Sequence, residues 1–311
     1  MTQHTIGVDI SKDTLDVHRL PSGEKGRFTN DRKGHRALLD WMEEDVARVV
    51  FEPTSRYHRA MERCLADAGL PLVKINPLRA RRFAESYGQL AKTDARDAAM
   101  LARMGMALDL PPHPVTGKEL NALRELQVAR TALVKDRTAA KNREKTLTIA
   151  LLKRQATQRL AQIERQLDAI ERAIAERIEQ DEDAVRRRDI LLSIPGIATA
   201  TAHAILIEMP ELGTLGGKQV ASLAGLAPVV RESGKWKGKA RIKGGRASLR
   251  QALYMPALVA TRFNPDLKAR YDTLRKAGKP AKLAITAVMR KLLITANALI
   301  RDDRNWTENP A

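Results

Sequence analysis

The sequence predicts an α/β domain, then a long helical hairpin, then a mainly α-helical C-terminal domain. Three observations support this order. Short β-branched runs alternate with helical patterns at the start of the chain, a stretch almost free of Gly and Pro follows, and apolar helices flank a Pro-Gly turn in the last third. The Pro-rich segment 110–114 indicates a boundary, and we therefore predict domains at 1–108, 109–185 and 186–311.

The first domain opens with a strand hairpin. Apolar residues alternate on both sides of the polar turn Ser11-Lys12-Asp13, and β-branched residues dominate the later apolar run Val46–Phe51. We predict strands within 4–20, at 26–29, 46–51 and 72–75, helices at 32–41, 55–68 and 94–104, and a basic loop at 79–92. The predicted order, βββαβαβα, fits an α/β layer domain.

The central part of the chain is predicted to be a helical hairpin or coiled coil. Thr116 and Glu119 have the spacing of a capping box, and helices are expected from Thr116 to about Leu152 and over 155–182. Apolar residues recur every three or four positions at Leu160, Ile163, Leu167, Ile170, Ile174 and Ile178. The hairpin is either a structural spacer or the element through which copies of the chain assemble.

The C-terminal domain opens with the turn Ile194-Pro195-Gly196-Ile197, followed by a predicted helix over 198–207. This pattern is similar to a helix-hairpin-helix motif, in which backbone N–H groups at a helix N-terminus bind a DNA phosphate. The alternative is an ordinary turn between apolar helices. Closing helices are predicted at 249–262 and 280–300.

The charge of the chain favours a polyanionic partner. Lys and Arg number 55 against 37 Asp and Glu, a net charge of +18, and nucleic acid is a better match than an anionic membrane. The chain has no apolar run of about 18 residues and no secretory pattern, so we expect a cytoplasmic protein outside the membrane. Phosphate-binding residues are predicted in a one-sided basic segment, which could otherwise be a solvated loop: Arg231, Lys235, Lys237, Lys239, Arg241, Lys243, Arg246 and Arg250.

Four carboxylates form the candidate catalytic site. Asp9 lies in an apolar strand, where an unpartnered carboxylate would be costly, and Glu52 ends the strand 46–51 at the carboxyl edge of the sheet. Asp94 and Asp97 share one face of a helix's first turn, where they could bind metal or simply complement the helix dipole. Oxygen ligands of this kind suit Mg²⁺, or Mn²⁺. Asp13 and Asp16 are predicted to be exposed.

Three acidic motifs carry a family resemblance. Gly7-Val8-Asp9-Ile10-Ser11-Lys12, Phe51-Glu52-Pro53-Thr54-Ser55 and Lys92-Thr93-Asp94-Ala95-Arg96-Asp97-Ala98 resemble the DEDD signature of a RuvC-like domain with the ribonuclease-H fold. More specifically, they resemble the transposases of the IS one-ten insertion-sequence family. The segments Leu223-Ala224-Gly225-Leu226-Ala227-Pro228, Glu232-Ser233-Gly234 and Lys243-Gly244-Gly245-Arg246 are similar to that family's second domain.

The resemblance implies a composite site for cutting and rejoining DNA. The carboxylates would hold Mg²⁺, and Ser233 would attack the phosphodiester to form a serine-linked DNA intermediate. It also implies a structured non-coding guide RNA, and assembly into dimers or tetramers. Two other functions stay open: a Holliday-junction-resolving nuclease that uses water as the nucleophile, and a non-enzymatic nucleic-acid scaffold.

Overall fold

A computed structural model of the chain describes residues 4–42, 45–88, 94–112, 117–230, 232–234, 236–238 and 240–308, without the side chains of residues 94, 95 and 237. The chain divides into two compact units, residues 1–116 and 117–311. The first is a mixed α/β unit and the second is mostly helical.

A five-stranded sheet forms the centre of the first unit. Its spatial order is β3-β2-β1-β4-β5, with β2 and β3 antiparallel to their neighbours and β4 and β5 parallel to β1. The first hairpin is confirmed; its turn is closed by Ser11, whose Oγ accepts a hydrogen bond from the Thr14 N–H at 2.9 Å. The strands are β1 His4–Ile10, β2 Thr14–Leu20, β3 Lys25–Thr29, β4 Val46–Phe51 and β5 Leu72–Lys74.

Four helices cover the two faces of this sheet: α1 Arg32–Met42, α2 His58–Asp67, α3 Pro77–Ser86 and α4 Asp94–Ala107. Helices α1 and α2 share a core with Ile6, Val8 and Phe51, whereas α3 and α4 share a separate core with Val50 and Val73. Alternate residues of a strand point to opposite faces, so each pair of helices has its own side of the sheet.

The predicted basic loop at 79–92 is wrong over its first part. Helix α3 covers residues 79–86 of this range. It begins at Pro77, the first helical position, because the Asn76 side chain accepts a hydrogen bond from the Leu78 N–H. Residues 89–92 of that loop lie outside the described residues. The observed element order is therefore βββαβαβαα rather than βββαβαβα.

Arg48 of β4 binds the segment that follows α4 at the end of the first unit. Its guanidinium donates to the carbonyls of Gly105 and Leu110, at 3.0 and 3.2 Å, and pairs with the Asp109 carboxylate at 2.6 Å. The turn after α4 is thereby held against the centre of the sheet.

The second unit contains nine helices and two very short antiparallel strand pairs among its described residues. The helices are α5 Lys118–Glu144, α6 Ala150–Glu179, α7 Glu182–Leu192, α8 Thr199–Glu208, α9 Gly217–Leu223, α10 Ala247–Ala252, α11 Tyr254–Phe263, α12 Pro265–Lys276 and α13 Ala281–Arg301. The strands are β6 Pro228–Val229 with β9 Arg241–Ile242, and β7 Glu232–Ser233 with β8 Trp236–Lys237.

Helices α5 and α6 pack as an antiparallel hairpin. Arg130 pairs with Glu171 at 2.7 Å and Arg137 with Glu164 at 3.2 Å, so positions pair in opposite sequence directions. Ile163 and Leu167, from the predicted apolar series, are buried between the helices.

The predicted capping box at the start of α5 is wrong. Gly117 is the N-cap and makes no side-chain capping bond, while Glu119 pairs with Arg177 of α6 at 2.7 Å. Thr116 lies outside the described residues.

The core of the second unit is built around α13. This 21-residue helix is long and apolar enough to cross a membrane, but half of its apolar window is buried inside the unit, as expected for a core helix. The turn before α8 also packs tightly, because Gly196 has a φ of +107° and a Cβ there would lie 2.8 Å from the Pro256 carbonyl. The predicted helix at 249–262 is broken at Leu253 into α10 and α11, and α12 was not predicted.

Candidate active site

Asp9 lies on the face of the sheet that α4 covers. A Cβ on Gly7 would lie 2.0 Å from the Ala98 carbonyl oxygen and 2.5 Å from the Ala102 nitrogen, so the backbone of α4 rests directly on Gly7. Asp9 is two residues further along β1 and shares that face. It is partly buried, toward the carboxyl end of the strand.

Helix α4 runs antiparallel to β1, which brings its acidic first turn toward Asp9. A Cβ on Gly105 would lie 3.1 Å from the Thr5 side chain, whereas Gly7 contacts positions 98 and 102. Two residues of β1, from Thr5 to Gly7, span about 6.7 Å, which is close to the length of about 7.5 Å spanned by five residues of α4. Each step of two residues along β1 therefore moves the contact about five residues back along α4. Two residues beyond Gly7, Asp9 is level with the first turn of α4. Asp97 is partly buried there, and the Asp94 side chain is outside the described atoms.

Glu52 follows β4 at the same edge of the sheet. In the parallel pairing Gly7 is opposite Val50, and Val50 faces α4, because a Cβ on Gly105 would lie 2.4 Å from its Cγ2. Two residues further, Glu52 is level with Asp9. It is partly buried, and its carboxylate makes no hydrogen bond or ion pair with any other described residue.

Asp16 was predicted to be exposed, and this prediction is wrong. Asp16 is 8% exposed and lies directly opposite Asp9 in the antiparallel pair. Arg27 of β3 donates to both of its oxygens, at 2.9 and 3.0 Å, and so neutralises the buried carboxylate. The position of Asp16 within the alternating residues of β2 was the sequence signal that could have indicated its burial. Its pairing with Arg27, in contrast, depends on the register between β2 and β3. Asp13, in the turn, is exposed as expected.

His18 lies on this face as well, and no sequence prediction included it. It is opposite Gly7 in the strand pair and is 7% exposed. Burial lowers the pKa of His18, and the positive charges of Lys25 and Arg103 lower it further, so the ring stays neutral near pH 7. A neutral imidazole adds no positive charge next to the acidic residues.

The described side chains contain no cluster of three or more His, Cys, Asp or Glu arranged to hold a metal ion. Three of the four predicted carboxylates are described, and all three belong to one face and one edge of the sheet. Carboxylate oxygens are donors that suit Mg²⁺ or Mn²⁺, so the residue types present fit a divalent cation.

Ser233 lies at the mouth of the β7–β8 hairpin. It pairs with Trp236 across a two-residue turn, in which Gly234 has a φ of +56° that glycine adopts without strain. Ser233 is exposed, and its hydroxyl forms no hydrogen bond with the residues that the structure describes. The hydroxyl is thus open to solvent on a short basic hairpin.

The predicted phosphate-binding residues fall into three groups. Arg241 and Lys243 are exposed. Arg246 donates to the Glu208 carbonyl at 2.7 Å and pairs with Glu211, while Arg250 donates to the Gly244 carbonyl at 2.9 Å, so both arginines make internal contacts. Outside the described atoms lie Arg231, Lys235, Lys239 and the side chain of Lys237.

The two glycine-containing segments of the second unit meet. A Cβ on Gly245 would lie 2.1 Å from the Gly225 nitrogen, and the Arg246 N–H donates to the Leu223 carbonyl at 2.7 Å. Burial of Glu211 opposes its ionisation, but the hydrogen bond from Arg246, a backbone hydrogen bond and the charges of Arg246 and Arg124 together outweigh this effect, so the pKa of Glu211 lies below its usual value. Arg246 therefore anchors the end of the basic segment.

The comparisons with known proteins agree with this layout. A family described as "Transposase" matches residues 6–154, and one described as "Transposase IS116/IS110/IS902 family" matches residues 188–272. The "Pilin gene-inverting protein" of Moraxella bovis is 29% identical over 321 residues, covering 98% of each chain, as is its counterpart in Moraxella lacunata. A 43.6 kDa protein of insertion element IS110 from Streptomyces coelicolor is 24% identical over 382 residues, covering 96% of this chain and 94% of its own.

An α/β unit with acidic residues at one edge of its sheet is followed by a basic helical unit, and two transposase families match the two in order. This combination defines a DNA transposase or recombinase. The two matched regions together span three quarters of the sequence. The chain belongs to the IS110 (IS one-ten) family of insertion-sequence transposases.

Proposed function

We propose that this chain cuts and rejoins DNA strands, with carboxylates of the first unit and Ser233 of the second as its catalytic groups. The observation that carries the proposal is the seating of α4 on Gly7, which brings the acidic start of that helix level with Asp9 and Glu52. In this proposal the first unit is a RuvC-like domain of the ribonuclease-H type. The carboxylate ligands are Asp9, Glu52, Asp94 and Asp97.

The divalent cation is proposed to be Mg²⁺. When bound, it would neutralise the charge that develops on the phosphate during strand transfer. Asp16, opposite Asp9 in the strand pair, is buried and accepts two hydrogen bonds from Arg27. Its charge is thereby already neutralised. We therefore propose Asp9, and not Asp16, as the ligand from this strand pair.

Ser233 is proposed as the nucleophile. Its Oγ forms a bond to phosphorus as the bond to the leaving DNA oxygen breaks; the serine proton passes to solvent, and the leaving oxygen is protonated. A second transesterification by a DNA hydroxyl restores the phosphodiester and frees the serine. The exposure of the Ser233 hydroxyl supports this role, because incoming DNA would displace only water.

Further parts of the proposal concern assembly, domain division, recognition of DNA and cellular location. The α5–α6 hairpin is the proposed assembly element of a dimer or tetramer, within the three-domain division 1–108, 109–185 and 186–311. Recognition of DNA is proposed to depend on a structured guide RNA, and the protein is proposed to act in the cytoplasm. Sequencing RNA that copurifies with the protein tests the guide, and light scattering tests the assembly.

The central experiment measures a covalent protein–DNA adduct. Full-length protein is incubated with Mg²⁺ and end-labelled DNA from the element's ends, and the products are resolved under denaturing conditions. We expect Ser233→Ala to abolish the adduct and Ser222→Ala, at another exposed serine of the same unit, to leave it intact. Strand cutting that persists without an adduct would instead support a nuclease that uses water.

The carboxylate site is tested in the same assay. We expect Asp9→Asn to abolish strand cutting, whereas Asp13→Asn, in the exposed turn after β1, should retain it. Full cutting by the Asp9→Asn protein would refute the catalytic role of this sheet edge. Absence of any Mg²⁺-dependent strand chemistry in the wild-type protein would favour a non-enzymatic scaffold.

A further inference from the structure

We propose that the outer face of α3 binds the phosphate backbone of a single DNA strand next to the carboxylate site, an inference that rests on the proposed function. This face carries Arg79, Arg81 and Arg82, and we call it the α3 basic face. In the sequence these residues lie within the predicted basic loop at 79–92.

The first argument is position. Only Ile75 and Asn76 separate the end of β5 from the start of α3, so the first turns of the helix lie at the carboxyl edge of the sheet. Ala80 of α3 packs in the same core as Leu101 and Met104 of α4. The α3 basic face therefore belongs to the side and edge of the sheet that carry Asp9.

The second argument is charge. Arg79, Arg81 and Arg82 are all exposed, and none forms an ion pair with a residue that the structure describes. By contrast, Arg27 pairs with Asp16 and Arg48 with Asp109. Arg36 and Arg63 also form no ion pair with described residues, but they lie on two different helices, whereas the three arginines of α3 are adjacent. Ordinary surfaces mix charges of both signs, so three adjacent free guanidinium groups indicate an anionic partner.

The third argument is the geometry of the helix. Ala80 is buried, and successive residues turn by about 100°, which places Arg82 near the centre of the exposed side with Arg79 and Arg81 flanking it. The three residues span about 4.5 Å along the axis. With their long side chains they can reach about two successive phosphates of one strand.

Tyr87 points to a single strand rather than a duplex. It follows the last turn of α3 and is 55% exposed, and one side of its ring is held by Phe83 at a centroid distance of 5.0 Å. Unpaired bases stack on aromatic rings of this kind, whereas bases within a duplex are not available to do so. Tyr87 lies beyond the C-terminal end of α3, turned toward the side of Ala80 rather than that of Arg82. The arginines would hold phosphates, and Tyr87 would offer a surface for one base where the strand passes the end of the helix.

The test measures DNA binding by the full-length protein in EDTA, so that the result does not depend on metal or on cutting. A fluorescent 20-nucleotide oligothymidylate is titrated over a range of salt concentrations. The variant R79Q/R81Q/R82Q is compared with K33Q/R36Q/R63Q, which removes the same charge from exposed positions on α1 and α2, on the opposite face. Circular dichroism checks that each variant is folded.

We expect the α3 variant to bind about 25-fold more weakly at 0.1 M salt, with a salt slope lower by about 1.4, the value for two single-strand phosphate contacts. The control variant should lose less than about threefold, and R82Q alone should lose about fivefold. Equal losses in the two triple variants would overturn the proposal, because they would show a net-charge effect without a site.

A Tyr87 variant and an RNA probe provide two further tests. Tyr87→Ala should weaken binding to the oligothymidylate about fivefold and leave binding to a duplex of equal length unchanged. A loss confined to duplex, or a loss seen only with a 20-nucleotide oligouridylate, would contradict a DNA strand on this face. Failure of the proposed function would appear elsewhere, as unchanged cutting by the Asp9→Asn protein.

Discussion

Replacing Gly7 by Ala should separate α4 from the sheet. The new Cβ would lie 2.0 Å from the Ala98 carbonyl oxygen, and ordinary contact begins at 3.4 Å, so α4 must retreat by the difference, 1.4 Å. The nearest atoms belong to the helix backbone and cannot rotate away. Overpacking of a well-packed core costs about 1–3 kcal/mol, and we expect about 3 kcal/mol at this position.

The same movement should damage catalysis. A displacement of about 1 Å in a catalytic group can cost about 100-fold in rate, and α4 carries Asp94 and Asp97. We expect Gly7→Ala to lower strand cutting by about 100-fold at a temperature where the protein is still folded. Urea unfolding followed by circular dichroism gives the stability, and the cutting assay gives the rate.

Two controls sharpen this prediction. Gly117→Ser adds a side chain where no atom lies within 4 Å, and should leave stability unchanged or slightly higher. The double variant Gly7→Ala/Ala102→Gly removes the Ala102 Cβ but not the backbone atoms, and should be no more stable than Gly7→Ala. Wild-type stability and activity in Gly7→Ala, or full rescue by Ala102→Gly, would refute the described seating of α4.

Three smaller changes test other parts of the structure. Arg27→Met removes both hydrogen bonds from the buried Asp16 and should cost about 2 kcal/mol in urea unfolding; an unchanged midpoint would contradict the β2–β3 register. Asn297→Ala should cost about 2–4 kcal/mol, because the buried amide accepts from the Gly213 N–H and donates to the Leu215 carbonyl, both at 2.8 Å; a loss below about 0.5 kcal/mol would refute this role. Glu211→Gln should lower the melting temperature at pH 7. The pKa of Glu211 is lower in the folded state than in the unfolded state, so its pairing stabilises the fold at pH values above the unfolded pKa, and this stabilisation is lost as the pH falls through the lower, folded pKa. The two proteins should therefore converge on acidification, and a gap that widens below pH 4.5 would contradict the pairing.

The strands of the first unit were predictable because their signal is local. Alternating apolar residues and β-branched runs gave the hairpin and the strand at Val46–Phe51 with the bounds that the structure shows. The acidic residues were also found from their positions relative to these strands. Their convergence was expected, but the contact between Gly7 and α4 that supports it was not predictable, because the two are distant in sequence.

Helices α3 and α12, which were not predicted, share one cause. Both are short and highly charged, so their apolar positions, such as Ala80 and Phe83 in α3, are few and stand among charged residues. Both begin with the same signal, an Asn that caps the helix followed by Pro at the first helical position: Asn76-Pro77 and Asn264-Pro265. Capping chemistry would have found these helices where periodicity did not.

The partner of Asp16 was missed for a different reason. A buried carboxylate requires neutralisation, but which cation supplies it depends on how β2 and β3 are aligned. One residue of slippage in that pairing would move Arg27 to the opposite face. Long-range register of this kind cannot be read from the local pattern.

The contacts of Arg48 have a mechanical consequence. They hold the carbonyls of Gly105 and Leu110 to an inner strand of the sheet, just before the chain continues toward the second unit. Tension applied along the chain beyond Leu110, for example by a load of bound DNA, would reach β4 through one guanidinium group before it could unwind α4. We therefore expect tension on the chain beyond Leu110 to reach the acidic first turn, at the far end of that helix, only after the contacts of Arg48 have broken.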